Sequence, residues 1–295
     1  MRHNAPPRSP FPPPRDYNQA NGVLRAVQAR LPPTPHAMTD VLHSIREGRL
    51  LRLTLNRPDK RNALNAALCQ ALVTALDDAA RNPAVGAILL TADGKAFCAG
   101  MDLAEIEPGA DSEEINAVHE QLFTVGARLT KPLIAGVHGA ALAGGTGLVA
   151  NCHIVVAAPG ATFGLTEIRL GLWPFLVYRA VAAALGDRRT LELSLTGRIL
   201  DTAEARQLGL VHEVVDAPQE RALEIAWAVA QSSPTAVQQG LAFVNRVRGL
   251  DWQQSGAIAR EVRNQVFAGE DFREGIRAFR EKRTPRWPSI GEPDA

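Results

Sequence analysis

The sequence is poor in several residue types, and each scarcity excludes a class of protein. Three cysteines in 295 residues, none of them in CxxC spacing, do not form a disulfide framework or a cysteine-rich zinc site. An excess of one charge is also missing, since 32 basic and 31 acidic side chains leave a net charge of +1. That balance lacks the basic surface typical of nucleic-acid-binding and polybasic membrane proteins. We therefore expect no nucleic-acid partner, no bound metal and, with so few cysteines, a reducing cytoplasmic location.

Long apolar runs and several catalytic motifs are missing too. The longest stretch without Asp, Glu, Lys or Arg covers residues 132–166, but it contains seven glycines and two prolines. It never reaches the ~18 consecutive apolar residues of a membrane span, and we interpret it as buried core in a protein with no membrane partner. HExxH, GxSxG and GxxxxGK[ST] do not occur, which argues against zinc proteases, serine hydrolases and P-loop proteins.

What is present divides the chain into three predicted regions. Residues 1–37 hold nine of the twenty prolines, which fix φ and remove backbone donors, so we predict a flexible N-terminal arm. Met38 lies where the ordered domain is expected to begin. Residues 38–200 alternate apolar strands with amphipathic helices, which predicts an α/β core with a largely parallel sheet covered on both faces. Residues 201–295 are predicted to be a helical C-terminal region.

Individual elements of the core can be placed from their patterns. Asn65 is predicted to cap a helix that carries an apolar stripe of leucines and stops near Asn82. Glu113 begins a segment that is predicted to be helical to about residue 128, with His119 on its surface. The predicted strands cover residues 50–55, 85–91, 133–138 and 153–157.

Two glycine-rich turns follow strands and precede helices, at residues 96–103 and 143–146. Backbone N–H groups that converge from two such turns form an oxyanion hole, which stabilises developing negative charge. Glu167 follows the long uncharged stretch, where burial would raise its pKa and suit it to general-base chemistry. The alternative interpretation is a dinucleotide fingerprint at residues 145–150. It fits less well, because an alanine-rich segment separates those glycines from the preceding strand.

Together with further motifs, these residues make the sequence resemble the crotonase superfamily of enoyl-CoA hydratases and isomerases. The resemblance extends from about Met38 to Arg283 and rests on blocks in the expected order, each weak alone and strong together. They are LNRPDKRNALN at 55–65, AFCAGMDL at 96–103, KPLIAGVHG with AGG at 131–145, FGLTEIRLG at 163–171, LTG with AEARQLGLV at 195–211, and EDFREG leading to residue 283. The resemblance implies a crotonase-type (ClpP/crotonase-like) ββα spiral core with a helical C-terminal trimerisation region.

The resemblance also implies roles for single positions. The backbone N–H groups of Met101 and Gly144 would polarise the thioester carbonyl of an acyl-CoA substrate, and Glu167 would be the catalytic acid/base. Coenzyme A is then part of the substrate, no separate cofactor is expected, and the expected assembly is a homotrimer or a dimer of trimers. The residues expected to line the CoA path are Lys60, Arg61, Ala63, Leu64, Ala99, Asp102, Leu103 and Gly145, with Phe279 and Lys282 reaching the CoA of a neighbouring subunit.

Three departures from the family pattern bear on the reaction. Two-carboxylate hydratases of the family have a glutamate three residues after the second oxyanion glycine, where this chain has Gly147. We expect that space to be open to substrate or to Tyr178. The usual Cys-Asp pair is replaced by Cys152 and His153, and we interpret His153 as structural. A glycine-rich run is replaced by FLVY at residues 175–178, which would reshape the acyl pocket.

We therefore predict a single-glutamate enoyl-CoA isomerase, in which Glu167 takes a proton from C2 and returns one to C4. Hydration of a 2-enoyl-CoA is the alternative, with Asp102 or Glu120 replacing the missing carboxylate. Asp102 equally fits a role that only braces its loop. A catalytically inactive CoA-thioester-binding protein is the third hypothesis.

Overall fold

The structure is a computed structural model that describes residues 34–35, 40–105 and 113–291. The chain divides into two units at Thr34, and the residues from Pro35 onward form the larger one. The predicted N-terminal arm, residues 1–37, lies outside the described residues except for Thr34–Pro35, a two-residue strand (β1).

The larger sheet is parallel through its centre. Its strands from β2 onward are β2 (Leu42–Glu47), β3 (Leu50–Leu55), β4 (Ala87–Ala92), β5 (Leu133–Val137), β7 (Ile154–Ala157) and β10 (Glu213–Val214), hydrogen-bonded in that order. All neighbouring pairs are parallel except β2 and β3, which form an antiparallel hairpin. The predicted, largely parallel sheet is confirmed, and the hairpin strand β2 is an addition that the sequence analysis did not predict.

Helices connect the strands and continue to the C-terminus. Those within the described residues are α1 (Ala66–Arg81), α2 (Glu113–Phe123), α3 (Gly144–Ala150), α4 (Phe175–Leu185), α5 (Asp187–Thr196), α6 (Thr202–Leu208), α7 (Pro218–Ala230), α8 (Pro234–Arg246), α9 (Trp252–Ala268) and α10 (Glu270–Glu281). Asn65 caps α1 as predicted, because its Oδ1 accepts a hydrogen bond from the Leu68 N–H at 3.0 Å. The helix predicted over residues 113–128 ends earlier, and Val125–Ala127 forms a separate 3-10 turn.

Both faces of the larger sheet are covered. The leucine stripe of α1, including Leu68 and Leu72, packs into the main core on one face. Ala222 and Ala226 of α7 pack on the opposite face. Every residue of β4 and β5 is buried, as expected for central parallel strands between two helical layers.

A smaller sheet lies beside the larger one and was not predicted. It consists of β6 (Ala141–Leu142), β8 (Thr162–Gly164) and β9 (Ile199–Asp201), with β8 in the middle. β8 is parallel to β6 and antiparallel to β9. The small sheet therefore joins the residues before Gly144 to the residues before Glu167.

Candidate active site

The first glycine-rich turn is held by the segment that precedes α1. The Ala99 N–H donates to the Arg61 carbonyl at 3.0 Å, the Leu64 N–H donates to the Gly100 carbonyl at 2.7 Å, and the Asp102 N–H donates to the Leu64 carbonyl at 3.0 Å. The structure thus brings together two sequence blocks that are more than thirty residues apart.

The amide of Met101 is left free by this pairing. Leu64 and Met101 form a parallel bridge, and its hydrogen bonds use the carbonyl of Gly100 and the N–H of Asp102. Because successive residues of an extended segment direct their backbone groups to opposite sides, the Met101 N–H faces away from Leu64. It is available to a ligand on the far side of the turn.

The second turn is bent at Ala143, which has φ 50° and ψ −118°. This is the conformation of the first central residue of a type II′ turn, normally a glycine position, and a non-glycine residue there is strained. The Ala143 N–H donates to the Gly164 carbonyl at 2.8 Å, which holds the bend in place. Gly144 then begins α3, and its amide is among those at a helix start that have no partner within the helix.

The two turns are in direct contact. Gly100 has φ 100°, and a Cβ on it would lie 2.9 Å from the Cβ of Ala143. A Cβ on Gly144 would lie 3.7 Å from the Cα of Gly100. Since Met101 follows Gly100 directly, the two candidate oxyanion donors start from neighbouring backbone, as an oxyanion hole requires.

Thr146 connects the second turn to the strand that leads to Glu167. Its hydroxyl lies 2.7 Å from the Ala141 carbonyl and 2.9 Å from the Gly164 carbonyl, and it accepts a hydrogen bond from the Gly164 N–H at 3.0 Å. Its residual exposure is 1%. Glu167 follows Gly164 by three residues, so its position is fixed relative to Ala143.

Glu167 is a buried carboxylate with an unused oxygen. Its side chain is buried, at 9% exposure, and within the described part of the chain its Oε2 has no hydrogen-bond partner. Burial raises the pKa of this carboxyl above its ordinary value, and a hydrogen bond from its own backbone N–H opposes that shift. An unpaired carboxylate with a raised pKa is suited to taking and returning a proton.

The space beside Gly147 is filled, and here the sequence-based expectation is wrong. A Cβ on Gly147 would lie 2.5 Å from Cγ1 of Val177 and 3.1 Å from the ring of Phe123. Both side chains are buried, at 4% and 5% exposure. Gly147 lies within α3 and does not have a positive φ. The side chains of Val177 and Phe123 fill this space, so it is not open to substrate or to Tyr178.

The comparisons with known proteins agree with this geometry. The sequence profile of the enoyl-CoA hydratase/isomerase family matches residues 46–290. This chain belongs to the enoyl-CoA hydratase/isomerase family. The enoyl-CoA hydratase EchA19 of Mycobacterium tuberculosis is 38% identical over 251 residues, which are 82% of this chain and 94% of that protein. The 2,3-dehydroadipyl-CoA hydratase of Escherichia coli is 37% identical over 247 residues, covering 81% and 95% of the two chains.

Solved structures of the family have the same fold. A crystal structure of an enoyl-CoA hydratase from Mycobacterium smegmatis superposes with a TM-score of 0.79 at 34% identity, covering 85% of this chain and 100% of that one. The enoyl-CoA hydratase of Bacillus anthracis gives a TM-score of 0.78 at 31% identity, with 84% and 99% coverage. The expected crotonase-type α/β fold with C-terminal helices is confirmed.

Within this family site, sequence reasoning missed two residues that hold the first turn. Arg57 forms an ion pair with Asp102, and its Nη1 also donates to the Ala63 carbonyl. Asn62 is fully buried. Its Oδ1 accepts from the Arg57 N–H at 2.8 Å, while its Nδ2 donates to the carbonyls of Asp93 and Ala96 at 2.8 and 2.9 Å. Both belong to the LNRPDKRNALN block, which was the available signal.

The remaining predicted site residues fall into two groups. Close to the two turns lie Lys60, Arg61, Ala63, Leu64, Ala99, Asp102, Leu103 and Gly145; of these, Lys60, Arg61 and Leu103 are exposed, and Gly145 packs against the backbone of Cys98. Phe279 and Lys282 are exposed at the end of α10, which packs mainly on α9 and the turn Pro288–Ile290. Helix α10 is not one of the elements that build the two turns.

The two histidines that the sequence analysis interpreted differ in outcome. His153 is structural, as predicted, because its Nδ1 accepts a hydrogen bond from the Leu133 N–H at 3.0 Å. His119 is not on the helix surface. It is buried at 6% exposure, and it lies one helical turn before Phe123, so both residues share the inward face of α2.

Three observations concern other kinds of site. Among residues 40–105 and 113–291, no three His, Cys, Asp or Glu side chains are grouped to hold a metal ion. None of the described helices is long and apolar enough to cross a membrane. A cavity of about 570 Å³ lies between the C-terminal helices, near Asp271. The Asp271 carboxylate there is already bonded to Ser233 and Ser289.

Proposed function

We propose that this member of the family is an enoyl-CoA isomerase that moves a double bond with one carboxylate. The observation that carries the proposal is the packing of Val177 against Gly147, at the position where two-carboxylate hydratases of the family have their second glutamate. A site with one buried, unpaired carboxylate can move a proton between two carbons. It has no second carboxylate with which to orient and deprotonate water.

The first step is removal of a proton from C2 of a 3-enoyl-CoA. The Glu167 carboxylate takes that proton, and the electron pair of the C–H bond delocalises onto the thioester oxygen to give a dienolate. The Met101 and Gly144 N–H groups donate to that oxygen, where the negative charge develops. Stabilising the oxyanion lowers the barrier to removing a weakly acidic C–H proton.

The second step returns the same proton at C4. The protonated Glu167 donates to C4, the electrons of the dienolate return, and the double bond now lies between C2 and C3. Protons, charge and electrons balance without any other reactant, so no separate cofactor is part of the proposal. The raised pKa of Glu167 supports this proton transfer, because it brings the pKa of the carboxyl closer to that of the weakly acidic C–H group.

Hydration of a 2-enoyl-CoA is the second candidate, and the relatives favour it by name, since those of M. tuberculosis and E. coli are called hydratases. The two replacement carboxylates considered from the sequence fit this reaction poorly. Asp102 is paired with Arg57, and Glu120 is exposed on α2. Of these three carboxylates, only Glu167 is therefore placed to serve hydration.

The proposal includes a homotrimer or a dimer of trimers that acts in the cytoplasm on acyl-CoA. Exposed apolar side chains between Ile168 and Ile199 support association, since apolar surface is common at protein interfaces. They are Ile168, Leu170, Leu172, Phe175, Leu176, Leu191, Leu195 and Ile199. On this basis Phe279, at 83% exposure, and Lys282 contribute to the CoA site of a neighbouring subunit.

The test is product analysis with paired substrates. The purified chain is incubated with 3-enoyl-CoA and 2-enoyl-CoA thioesters of several chain lengths, and isomer and 3-hydroxyacyl products are separated by chromatography. We expect isomerisation of the 3-enoyl thioesters and weak hydration of the 2-enoyl thioesters. Efficient hydration without isomerisation would establish the hydratase instead. Binding without turnover of either series would identify a CoA-thioester-binding protein.

A further inference from the structure

His119 is a buried side chain for which the proposed reaction has no use. Its exposure is 6%, and no group among the described residues hydrogen-bonds to its Nε2. Leaving a buried polar nitrogen without a partner is unfavourable. Such unpaired groups are few in native proteins, and each one calls for an explanation.

His153 and His212 differ from His119, because each has a backbone partner for one ring nitrogen. His153 Nδ1 accepts from the Leu133 N–H at 3.0 Å, and His212 Nδ1 accepts from the Val155 N–H at 3.1 Å. The acidic residue that acts electrostatically on His119, Glu105, does not pair with it either. Glu105 accepts hydrogen bonds from Asn65 Nδ2 and the Ala66 N–H, both at 3.1 Å, at the start of α1.

Two neighbours relate His119 to the two glycine-rich turns. Phe123, one helical turn further along the same face of α2, has ring atoms 3.1 Å from the Cβ positions of both Gly144 and Gly147. On the other side, Glu105 is close enough to act electrostatically on His119, and Glu105 lies in the short turn that follows Met101. His119 therefore shares a helix face with Phe123, which packs against the second turn, and lies within electrostatic reach of Glu105, which follows the first turn.

The charge state of His119 limits what it can bind. Burial lowers the pKa of its imidazole, and the nearby carboxylate of Glu105 opposes that shift. A neutral imidazole has one N–H donor and one acceptor nitrogen. With the carboxylate of Glu105 close by, a second carboxylate on the ligand would be repelled, so an uncharged oxygen fits better than an anion.

We propose that Nε2 of His119 hydrogen-bonds an uncharged polar oxygen, a hydroxyl or a carbonyl, on the acyl chain of the CoA thioester. The substrate class is then a polar acyl-CoA and not an unsubstituted fatty acyl-CoA. His119 is a specificity-determining residue in this proposal and transfers no proton. The inference rests on the proposed function in one respect, that an acyl-CoA occupies the site, and it does not depend on isomerisation.

Calorimetric binding to saturated thioesters tests the proposal apart from turnover. The probes are an unsubstituted acyl-CoA and its matched hydroxy and oxo derivatives, substituted at successive carbons beyond C3. Wild-type protein is expected to bind at least one substituted thioester about 10-fold or more tightly than the unsubstituted one. His119→Phe is expected to abolish that preference and to keep or improve binding of the unsubstituted thioester. His119→Gln, which retains hydrogen-bonding groups, is expected to keep part of it.

The outcomes separate this proposal from the isomerase. Equal affinity of the wild type for all the thioesters, or a preference that survives in His119→Phe, would overturn the role of His119. A His119-dependent preference in a protein that does not isomerise would leave that role standing and remove the isomerase. If His119→Phe does not fold, His119→Leu takes its place. The wild-type measurement decides in either case, because the proposal requires the wild type to bind a substituted thioester more tightly than the unsubstituted one.

Discussion

The guanidinium of Arg57 lies 2.9 Å from the carboxylate of Asp102, and both side chains are only 13% exposed. The pair joins the segment before α1 to the turn that carries Met101. The hydrogen bond from Arg57 holds the pKa of Asp102 below its usual value, with burial opposing that shift. A carboxylate used in this way braces its loop and is not free to act as a base.

Breaking this ion pair is expected to destabilise the protein at neutral pH. Removing either partner leaves the other charge largely buried, so Asp102→Asn and Arg57→Met are each expected to lower the free energy of unfolding by about 3 kcal/mol. The double variant is expected to lose less than the sum of the two. Denaturant unfolding of the four proteins measures the coupling, and additive losses would show that the pair contributes no interaction energy.

Glu167→Gln is expected to reduce isomerase turnover by about 10²- to 10⁴-fold while CoA-thioester binding is retained. In the wild type, kcat/KM is expected to fall as pH decreases through the pKa of Glu167, because the protonated carboxyl cannot accept the C2 proton. Since burial raises that pKa, the midpoint should lie above the ordinary value of 4.5. Turnover and pH profile close to wild type in the variant would exclude Glu167 from the mechanism.

The same substitution is expected to stabilise the fold at neutral pH. A carboxyl whose pKa is raised in the folded state binds its proton more tightly when folded, so its contribution to stability is greatest below pH 4.5. That contribution decreases as pH rises through the folded pKa. Thermal unfolding of wild type and Glu167→Gln between pH 4 and pH 8 should therefore show the variant gaining stability relative to the wild type as pH rises. A difference independent of pH would contradict the raised pKa.

Gly147→Glu alone is expected to destabilise the protein and not to create a hydratase. The Cβ of the new residue would lie 2.5 Å from Cγ1 and 2.8 Å from Cβ of Val177, an overpacking that costs about 1–3 kcal/mol or more. Val177→Ala would retain the Val177 Cβ, which lies 2.8 Å from the new Cβ, so Val177→Gly is the matching change.

In the double variant Gly147→Glu/Val177→Gly, hydration of 2-enoyl-CoA is expected to rise above that of Val177→Gly alone. The single Val177→Gly protein is the control, because it has the same cavity without the second carboxylate. Hydroxyacyl products are quantified by chromatography. Equal hydration by the two proteins would show that a carboxylate at position 147 does not supply the missing function.

Thr146→Val is expected to lower the free energy of unfolding by about 1–3 kcal/mol, because it removes the acceptor of the Gly164 N–H and a buried donor. It is also expected to lower kcat, since Glu167 is positioned through Gly164. Thr190→Val is the matched control: Thr190 is equally buried, but its hydroxyl bonds the Gly186 carbonyl, which already accepts from the Thr190 N–H. Similar losses in both variants would exclude a special role for Thr146.

Local sequence signals were sufficient for most of the larger sheet and for α1. The capping Asn65, the apolar stripe from Leu68 and the buried run of β4 act over a few residues, so their patterns can be interpreted without a structure. Strand β2 and the smaller sheet were missed. Leu42–Glu47 and Ala141–Leu142 are short or mixed in polarity, and their pairing depends on distant partners.

The site was only partly predictable for the same reason. Glu167 and the two glycine turns stand out as motifs. By contrast, Val177 is thirty residues from Gly147, and no sequence spacing indicates which side chain fills a given space. His119 was assigned to the surface of its helix, although it is buried. Its four-residue spacing from Phe123 was the signal for burial.

The bend at Ala143 has a consequence for the entropy of substrate binding. Glycine at this position would adopt φ 50° without strain, but it would also let the peptide that carries the Gly144 N–H rotate among several directions. Alanine has far fewer conformations available, and the hydrogen bond to Gly164 selects one of them at a cost of about 1–3 kcal/mol. That cost is met when the chain folds. The thioester then meets a donor whose direction is already fixed, and its binding loses no further backbone entropy at this turn.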